Sequence, residues 1–284
     1  MRVFRSLRHP GLAAQSALTI GNFDGVHRGH QAMLALLASE AAHRGLPATV
    51  LTFEPNPRDY FARRAGNPDA APARIATLRD KLCELERCGV AQAVVMRFDA
   101  AFAAQTPEAF VADVLVAGLG ARYVLVGDDF RYGARRAGDY ATLDAAGTRH
   151  GFDVARMMSY EVHGQRVSSS AVRAALAAGD MIEAAALLGR PYSISGHVVH
   201  GKRLGRVLLE VHCLDWPASL GAEGGYGRLV RVELLHKLRD EARYDSLAAL
   251  AAAIGQDTRD ARVFLAAEAA AHAATGRQTT RDRI

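Results

Sequence analysis

The sequence predicts an α/β protein: a Rossmann-like domain with a parallel sheet, then a smaller domain of short strands with C-terminal helices. Two observations predict this organisation. Through about residue 188, short apolar runs alternate with stretches of helical periodicity, as strands and crossover helices do in a parallel sheet. After Pro191, glycine turns separate short β-like runs, and from Ser246 the chain is rich in alanine. Parallel sheets bind ligands at the carboxyl ends of their strands, so those loops are the first candidates for a site.

The first strand and helix flank the segment 19–30, TIGNFDGVHRGH. The apolar run 17–20 predicts a buried strand, and the glycines after it predict a tight loop. The spacing of Leu34 and Leu37 predicts a helix that ends near Gly45. Loop amides and the positive end of the helix dipole would face the carboxyl end of the strand, an arrangement typical of a phosphate site.

Two histidines, His27 and His30, stand three residues apart at the predicted start of this helix. They fall on the same side, where both could donate hydrogen bonds to phosphoryl oxygens. No further group of histidine, cysteine or acidic residues has the spacing of zinc ligands, so no protein-bound metal is expected. Two surface histidines on an ordinary first turn remain the alternative, because short motifs often occur by chance.

The next segments continue the alternation. The run 50–53 predicts a second strand, and the prolines of the segment 54–57 predict an extended loop after it. The aperiodic segment 62–73 predicts a surface loop. Helical spacing and a final Gly89 predict a helix whose apolar face is formed by Ile75, Leu78, Leu82 and Leu85.

Three further apolar runs, 93–98, 123–127 and 154–158, predict the third, fourth and fifth strands. Between the third and the fourth, Thr106 has the residue type of an N-cap and Pro107 that of a first-turn proline. A helix is therefore expected to begin there and to cross from one strand to the next.

Two polar segments follow strands of this sheet. The segment 128–133, DDFRYG, could bind a ribose or ribityl hydroxyl and stack a ring, or it could cap the next helix. The serines 168–170 begin a predicted alanine-rich helix that ends at Gly179. They could be ordinary N-caps, or they could bind phosphate together with Arg173, one turn further on. Residue types alone leave both alternatives open.

The domain boundary is predicted after residue 187. Asp180 and Glu183 resemble a capping box for a short helix that ends at Gly189, with Pro191 beyond it. The predicted elements of the second half are strands at 193–200, 207–214 and 229–235 and a helix from 246 to about 275. The predicted domains are residues 1–187 and 188–284.

Composition narrows the class of protein. The chain is 50% hydrophobic and 23% charged, and no apolar run is long enough to cross a bilayer, so a cytoplasmic protein without a membrane partner is expected. Three cysteines without a Cys-x-x-Cys pair argue against a disulfide framework. The net charge of +5 suits anionic nucleotides, and no basic run with interleaved aromatics indicates a nucleic-acid partner. Nothing in the sequence indicates an oligomeric state.

The string GNFDGVHRGH resembles the bacterial bifunctional enzymes in which riboflavin kinase is joined to FAD synthetase, within the nucleotidyltransferase superfamily. Four more strings carry the resemblance: TFEPNP at 52–57, GDDFRYG at 127–133, VSSSAVR at 167–173 and GRPYSISGHVVHG at 189–201. They follow the order of the family and run through about two thirds of the chain.

The resemblance implies that the first domain transfers AMP from ATP to FMN, giving FAD and pyrophosphate. Magnesium would arrive with ATP and bridge its phosphates, with few protein ligands. The implied catalytic residues are His27, His30 and Arg173. The implied phosphate-binding residues are Gly21, Asn22, Phe23, Asp24, Gly25, Gly29, Ser169 and Ser170, and the implied flavin- or nucleotide-binding residues are Asp129, Phe130 and Arg131.

The second half resembles only part of a riboflavin kinase barrel. The segment 196–206 resembles its opening, 209–212 resembles the strand that carries the catalytic carboxylate, here Glu210, and 231–244 resembles its closing strand and helix. The family's Gly-Phe-Pro-Thr-Ala-Asn string, which supplies a threonine for magnesium and nucleotide phosphates, has no counterpart. An incomplete barrel leaves strand edges unpaired.

We therefore expect Glu210 to be a vestigial base and the kinase activity to be lost or very weak. One alternative is a fully bifunctional riboflavin kinase/FAD synthetase. Another is a non-catalytic flavin or nucleotide-binding protein, which would bind FMN and ATP without forming FAD.

Overall fold

The computed structural model of the chain describes residues 1–162, 164–200, 209–221 and 223–274. They form two compact units. The first comprises Met1–Ser195 with Arg231–Glu233, and the second comprises the other described residues. Among the described residues, no helix combines the length and the apolar character needed to cross a membrane.

The first unit is built on a sheet of six parallel strands. The strands are β1 Arg2–Phe4, β2 Ser16–Ile20, β3 Ala48–Glu54, β4 Gln92–Arg97, β5 Ala121–Gly127 and β6 Asp153–Met157. Their order across the sheet is β1-β4-β3-β2-β5-β6. β2 pairs with β3 on one side, Ile20 opposite Leu51, and with β5 on the other, Thr19 opposite Leu125. The strand order reverses at β2, so the crevice at the ends of β2 and β5 is the expected ligand position.

Helices cover both faces of the sheet, as the alternation of the sequence predicts. The α-helices of the first unit are α1 Arg28–His43, α2 Pro57–Arg64, α3 Leu78–Arg87, α4 Ala100–Ala103, α5 Pro107–Ala109, α6 Tyr140–His150, α7 Ser169–Ala178 and α8 Met181–Leu188. The second unit contains α9 Leu247–Ala274. Helix α5 continues into a π-helical segment, Phe110–Gly118, and short 3-10 turns occupy Pro68–Ala70, Ala134–Arg136 and Ala218–Leu220.

The core explains why β2 reads as a continuous apolar run. All five of its residues are buried, because helices pack on both of its faces. Leu18 and Ile20 pack with the π-helical segment and α6, whereas Ala17 faces α1 on the other side. The strand can therefore carry no charge of its own, and the polar residues of this region are concentrated in the loop after it.

Several elements differ from the sequence prediction. Strand β1 and helix α6 were not predicted, and the expected loop 62–73 begins inside α2, which Asn56 caps by accepting a hydrogen bond from the Arg58 amide at 2.9 Å. Pro55 therefore precedes a helix that begins at Pro57, where a long extended loop was expected. Pro57 occupies the first turn, where its missing N–H costs nothing.

Two other boundaries need correction. Ile75 lies before α3, whose N-cap is Thr77, so it packs from the preceding turn rather than from the helix. In the second half, 209–214 is not a strand, and 235–245 contains no helix. An apolar alternation such as LEVHCL forms a strand only where a partner strand satisfies its backbone groups. Residues 201–208 and 275–284 lie outside the described residues. They include the beginning of the predicted strand 207–214, the end of the predicted C-terminal helix and the tail.

After the parallel sheet, the chain contains a short antiparallel pair of strands and one long helix. Strands β9 Tyr192–His197 and β10 Leu229–Leu234 form a two-stranded sheet. Next to it, Val198 donates to the carbonyl of Arg228 and accepts from the amide of Gly227, both at 2.9 Å. The fold class is thus confirmed: a parallel α/β unit is followed by a small unit with antiparallel strands and a C-terminal helix.

Candidate functional site

A cleft of about 320 Å³ opens at the carboxyl ends of β2 and β5. Five segments of the first unit line it: 22–30 after β2, the start of α2, 127–129 after β5, 157–160 after β6, and 166–173 at the start of α7. The floor is therefore made of two helix N-termini and the loops that enter them. Both termini place unpaired backbone N–H groups and a positive dipole end toward the same space.

The loop between β2 and α1 has an unusual backbone. Phe23, Gly25 and Val26 have positive φ angles of 49°, 79° and 41°. For a β-branched residue such as Val26 this conformation is a rare outlier. Left-handed residues next to right-handed ones can turn backbone amides toward a common concave surface that binds anions. Strain of this kind persists only where the surroundings fix it, and it is common at ligand-binding sites.

Side chains behind the loop fix this conformation. Gln31 donates from its amide to the carbonyls of Val26 at 2.8 Å and of Leu188 at 2.7 Å. Arg190 donates to the carbonyls of Gly25 at 2.7 Å and of Val26 at 3.2 Å. In a planar trans peptide the C=O and the following N–H point in opposite directions. Holding the carbonyl of Val26 at the back therefore turns the amide of His27 toward the front, whereas the amide of Val26 donates to the carbonyl of Phe23 at 3.3 Å.

The two histidines are stacked on each other at the start of α1. Their ring centroids lie 3.7 Å apart, and Nδ1 of His27 accepts the backbone N–H of His30 at 3.3 Å. His27 is thus the N-cap of the helix. Because Nδ1 is an acceptor, the neutral ring carries its proton on Nε2. That N–H is the group His27 can offer to a ligand.

Burial keeps both rings neutral. Loss of hydration, together with the nearby charges of Arg173 and Arg190, lowers the pKa of His27 to about 4. Burial, followed by the charges of His27 and Lys81, lowers the pKa of His30 well below its ordinary value. His30 Nδ1 is buried without a hydrogen-bond partner in the described part of the chain. A polar atom in that condition is characteristic of a site that a ligand completes.

The start of α7 is bonded directly to the loop after β2. Ser169 donates its hydroxyl to the carbonyl of Asp24 at 3.1 Å, and Arg173 forms an ion pair with the Asp24 carboxylate at 2.5 Å. Arg173 also donates to the carbonyl of Ala73. The hydroxyl of Ser168 caps α7. The two segments that the sequence singles out for phosphate therefore meet in one cleft.

Asp24 is nearly buried and its oxygens are occupied. Besides Arg173, the carboxylate accepts the backbone N–H groups of Ile75 and Ala76 at 3.1 to 3.2 Å. Its contacts join three segments of the unit, which is a positioning role. Its carboxylate also offsets the positive charge of Arg173. Arg173 is also one of the residues that line the cleft.

The opposite wall is formed by residues after β5 and β6. Ser159 donates to Asp128 at 2.6 Å, and this hydrogen bond lowers the pKa of the Asp128 carboxyl. Arg166 lies 3.5 Å from Asp128 and 3.4 Å from Asp129. It belongs to a two-stranded hairpin, β7 Glu161–Val162 and β8 Gln165–Arg166.

Most of the predicted site residues come together here. The predicted residues that line the cleft are Asn22, Phe23, Asp24, His27, Gly29, His30, Asp129, Ser169, Ser170 and Arg173. Gly21 and Gly25 belong to the same loop but do not line the cleft. Phe130 and Arg131 also lie outside the lining: Phe130 stacks on Tyr132, and Arg131 pairs with Asp139 at 3.3 Å. Glu210 is exposed in the second unit, in a segment without regular secondary structure.

Sequence reasoning missed several residues of the site. Arg58, Met157 and Ser159 line the cleft, and Gln31, Lys81 and Arg190 hold the loop from behind. None of these residues belongs to a recognisable sequence motif, because their place in the site is decided by tertiary packing. One signal was available for Lys81: it is the only lysine among residues 1–200, where arginine is the other permanently charged cation.

Comparison with known proteins places both halves of the chain. The family model for FAD synthetase matches residues 10–171, and the model for riboflavin kinase matches residues 207–265. The bifunctional riboflavin kinase/FMN adenylyltransferase of Escherichia coli K12 is 39% identical, over 93% of this chain and 98% of the relative. The enzyme of the same description from Haemophilus influenzae is 36% identical, over 93% and 99%.

A solved structure, of a macrolide-efflux protein from Streptococcus pneumoniae, has the same fold, with a TM-score of 0.69 and 22% identity. It covers 92% of this chain and 98% of its own. At that identity the likeness shows the fold alone.

The kinase match supports the alternative of a chain with both enzymes better than it supports loss of the kinase. The alignment with the Escherichia coli relative spans 316 positions, more than the 284 residues of this chain, so the relative has positions without a counterpart here. Sequence, fold and the two family matches agree, and the chain belongs to the bacterial family of bifunctional riboflavin kinase/FMN adenylyltransferases.

Proposed function

We propose that the first unit transfers AMP from MgATP to FMN, giving FAD and pyrophosphate. The observation that supports this most directly is the cleft in which the start of α1 and the start of α7 face one another, joined through Asp24. Two helix N-termini, two neutral histidines and one arginine form a surface for several adjacent phosphates. A triphosphate, with its adjacent negatively charged phosphates, is complementary to that surface.

In the proposed reaction, an oxygen of the FMN phosphate attacks the α-phosphorus of ATP. The bond from that phosphorus to the bridging oxygen breaks, and pyrophosphate leaves. The protein aligns the two reactants and stabilises the charge that develops on the transferring phosphoryl group. Nε2–H of His27 and the ring of His30 would contact this group, while Ser169, Ser170 and Arg173 would hold the leaving pyrophosphate.

The donor set fits magnesium that is bound by the substrate. Within the described residues, no group of three histidine, cysteine or acidic side chains could form a metal site. Asp128 and Asp129 at the wall of the cleft are already paired with Arg166. Phosphate oxygens of ATP would therefore supply most of the ligands.

We propose the flavin or nucleotide ring at the end of β5, where Asp129 lines the cleft and Phe130 and Arg131 follow it. We likewise propose residues 1–187 as the adenylyltransferase domain and 188–284 as the shortened kinase-like domain. The bounds of the two family matches, 10–171 and 207–265, are compatible with that division.

The second candidate function is the phosphorylation of riboflavin to FMN, favoured by the riboflavin kinase match over 207–265. Glu210 falls in this segment and has the residue type of a general base. Against this function stands the missing Gly-Phe-Pro-Thr-Ala-Asn string, because a base without positioned phosphates has nothing to activate.

One experiment tests both activities. Purified protein is incubated with FMN plus MgATP and, separately, with riboflavin plus MgATP, and the flavins are separated by chromatography. FAD from FMN is the expected result for the first unit. FMN from riboflavin would establish the second activity. Tight binding of FMN and ATP without any FAD would instead identify a non-catalytic flavin carrier.

A further inference from the structure

Lys81, on α3, is buried directly behind the loop that follows β2. Only 7% of the residue is exposed. Its ammonium donates to the carbonyl of Asn22 at 3.1 Å and to the hydroxyl of Thr52 at 3.3 Å. Both acceptors are neutral, whereas a buried lysine is ordinarily paired with a carboxylate.

The carboxylates nearest to Lys81 are already bound to arginines. Arg74 pairs with both Glu54 and Asp59 at 2.7 Å, and Arg173 pairs with Asp24. The cluster of Arg74 with its two acids keeps one net negative charge, which offsets Lys81 only from beyond contact distance. Burial accordingly lowers the pKa of Lys81, and Glu54 raises it.

The contact with Asn22 also sets the direction of the loop. Because the carbonyl of Asn22 points at Lys81, the N–H of Phe23 in the same peptide points the opposite way. Phe23 and Asn22 line the cleft, and within the described residues the amide of Phe23 has no acceptor. A cation behind the loop and free amides in front of it form one electrostatic unit.

We propose that Lys81 is a positioning residue for adenylyl transfer, acting as the counter-charge behind the loop that binds the triphosphate of ATP. It orients the Asn22–Phe23 peptide. It also adds a positive charge that is fully neutralised only when the anion binds. The inference rests on the proposed function, since it assigns the anion as the triphosphate of the substrate.

The residue type is consistent with this role. Lys81 is the single lysine of residues 1–200, although arginine serves at the other basic positions there. A compact ammonium on a flexible stem can be enclosed between a backbone carbonyl and a hydroxyl, whereas a planar guanidinium needs more room and more acceptors.

The test is the binding of sodium tripolyphosphate to the full chain, measured by calorimetry. We compare the natural protein with Lys81→Met, which keeps the apolar stem, and Lys81→Gln, which keeps a hydrogen-bond donor. The control is Arg44→Met. Arg44 is a cation of the same unit, paired with Asp153 near the opposite end of the sheet.

Both Lys81 variants should bind tripolyphosphate roughly tenfold more weakly or worse, as expected for loss of a charged partner. Arg44→Met should bind it as the natural protein does. The thermal midpoint of Lys81→Met should change little, because removing a buried charge offsets the loss of its two hydrogen bonds. A purely structural lysine would give the reverse: a lower midpoint with unchanged anion affinity.

Unchanged tripolyphosphate affinity in Lys81→Met and Lys81→Gln would overturn the inference. Recovery of affinity in Lys81→Gln alone would also overturn it, because the hydrogen bond rather than the charge would then be responsible. These readouts do not depend on FAD formation. If the natural protein formed no FAD but the Lys81 variants bound tripolyphosphate more weakly, the proposed adenylyl transfer would be rejected. The role of Lys81 in anion binding would be retained.

Discussion

A histidine in water exchanges its proton near pH 6.5, but the position of His27 changes that behaviour. Burial lowers its pKa to about 4, and the same effect acts on His30. At neutral pH both rings are therefore uncharged donors, aligned by their stacking and by the cap that His27 provides. A phosphate group could therefore accept hydrogen bonds from these neutral rings.

At the residue scale, His30→Ala should lower FAD formation about 100-fold or more, since it removes a donor aimed at the developing charge. FMN affinity should be largely retained, because the ring is assigned to the transferring phosphoryl group. Rates from FMN plus MgATP and a fluorescence titration with FMN measure the two quantities. His43→Ala, in the last turn of the same helix, is the control. An unchanged rate in His30→Ala would remove this histidine from the mechanism.

His27 also makes stability depend on pH. The unfolded histidine binds a proton below about pH 6.5, while the folded one does so only near pH 4. Between these values the unfolded state holds more protons, so the free energy of unfolding falls as pH falls.

His27→Asn keeps a side chain that can cap α1 and removes the titrating ring. From pH 7 to pH 4.5 the natural protein should lose about 2 kcal/mol more stability than this variant. Urea unfolding at both pH values measures the difference. Equal losses in the two proteins would show that His27 titrates normally in the folded state.

At the scale of elements, the loop after β2 is held between α1, α3, α7 and the residues that follow α8. Its carbonyls are bound from behind by Gln31, Lys81 and Arg190, and Ser169 binds it from α7. The positive φ angles at Phe23 and Val26 are thus maintained by contacts with several elements rather than by the loop itself.

Gly25 and Gly45 give a matched test of this loop. Both have positive φ, 79° and 64°, so alanine is strained at either position, by about 1 kcal/mol. A Cβ at Gly25 would lie 2.8 Å from the side chain of Ile75, whereas a Cβ at Gly45 would meet nothing within 4 Å.

Gly25→Ala should therefore be less stable than Gly45→Ala by roughly 1 to 3 kcal/mol, the range for overpacking. It should also reduce FAD formation, while Gly45→Ala should not. Urea unfolding and initial rates measure both effects. Equal stability and equal rates in the two variants would mean that the loop tolerates another conformation.

At the scale of the whole molecule, the two family matches fall on separate stretches of chain, 10–171 and 207–265. Two reactions that use separate stretches should be separable by substitution. Glu210 lies in the second stretch and His30 in the first.

Glu210→Gln should lower the formation of FMN from riboflavin about 100-fold or more, as expected for loss of a general base. The conversion of FMN to FAD should continue at the natural rate. Chromatography of the flavins after each incubation measures the two reactions. Unchanged FMN formation would place the kinase base elsewhere, and a parallel loss of FAD formation would show that the two reactions are coupled.

The sequence by itself determined the parallel α/β class, the capped starts of α5, α7 and α8, and the two phosphate motifs, because periodicity, caps and glycine spacing are local properties. Motif strings also indicated the family. Tertiary structure alone decided that Asp24 joins the two motifs, that the pKa of His27 falls, that Phe130 and Arg131 lie beside the cleft, and that Lys81 is buried behind the loop. These properties depend on burial and on contacts between residues far apart in the chain, which no local pattern encodes.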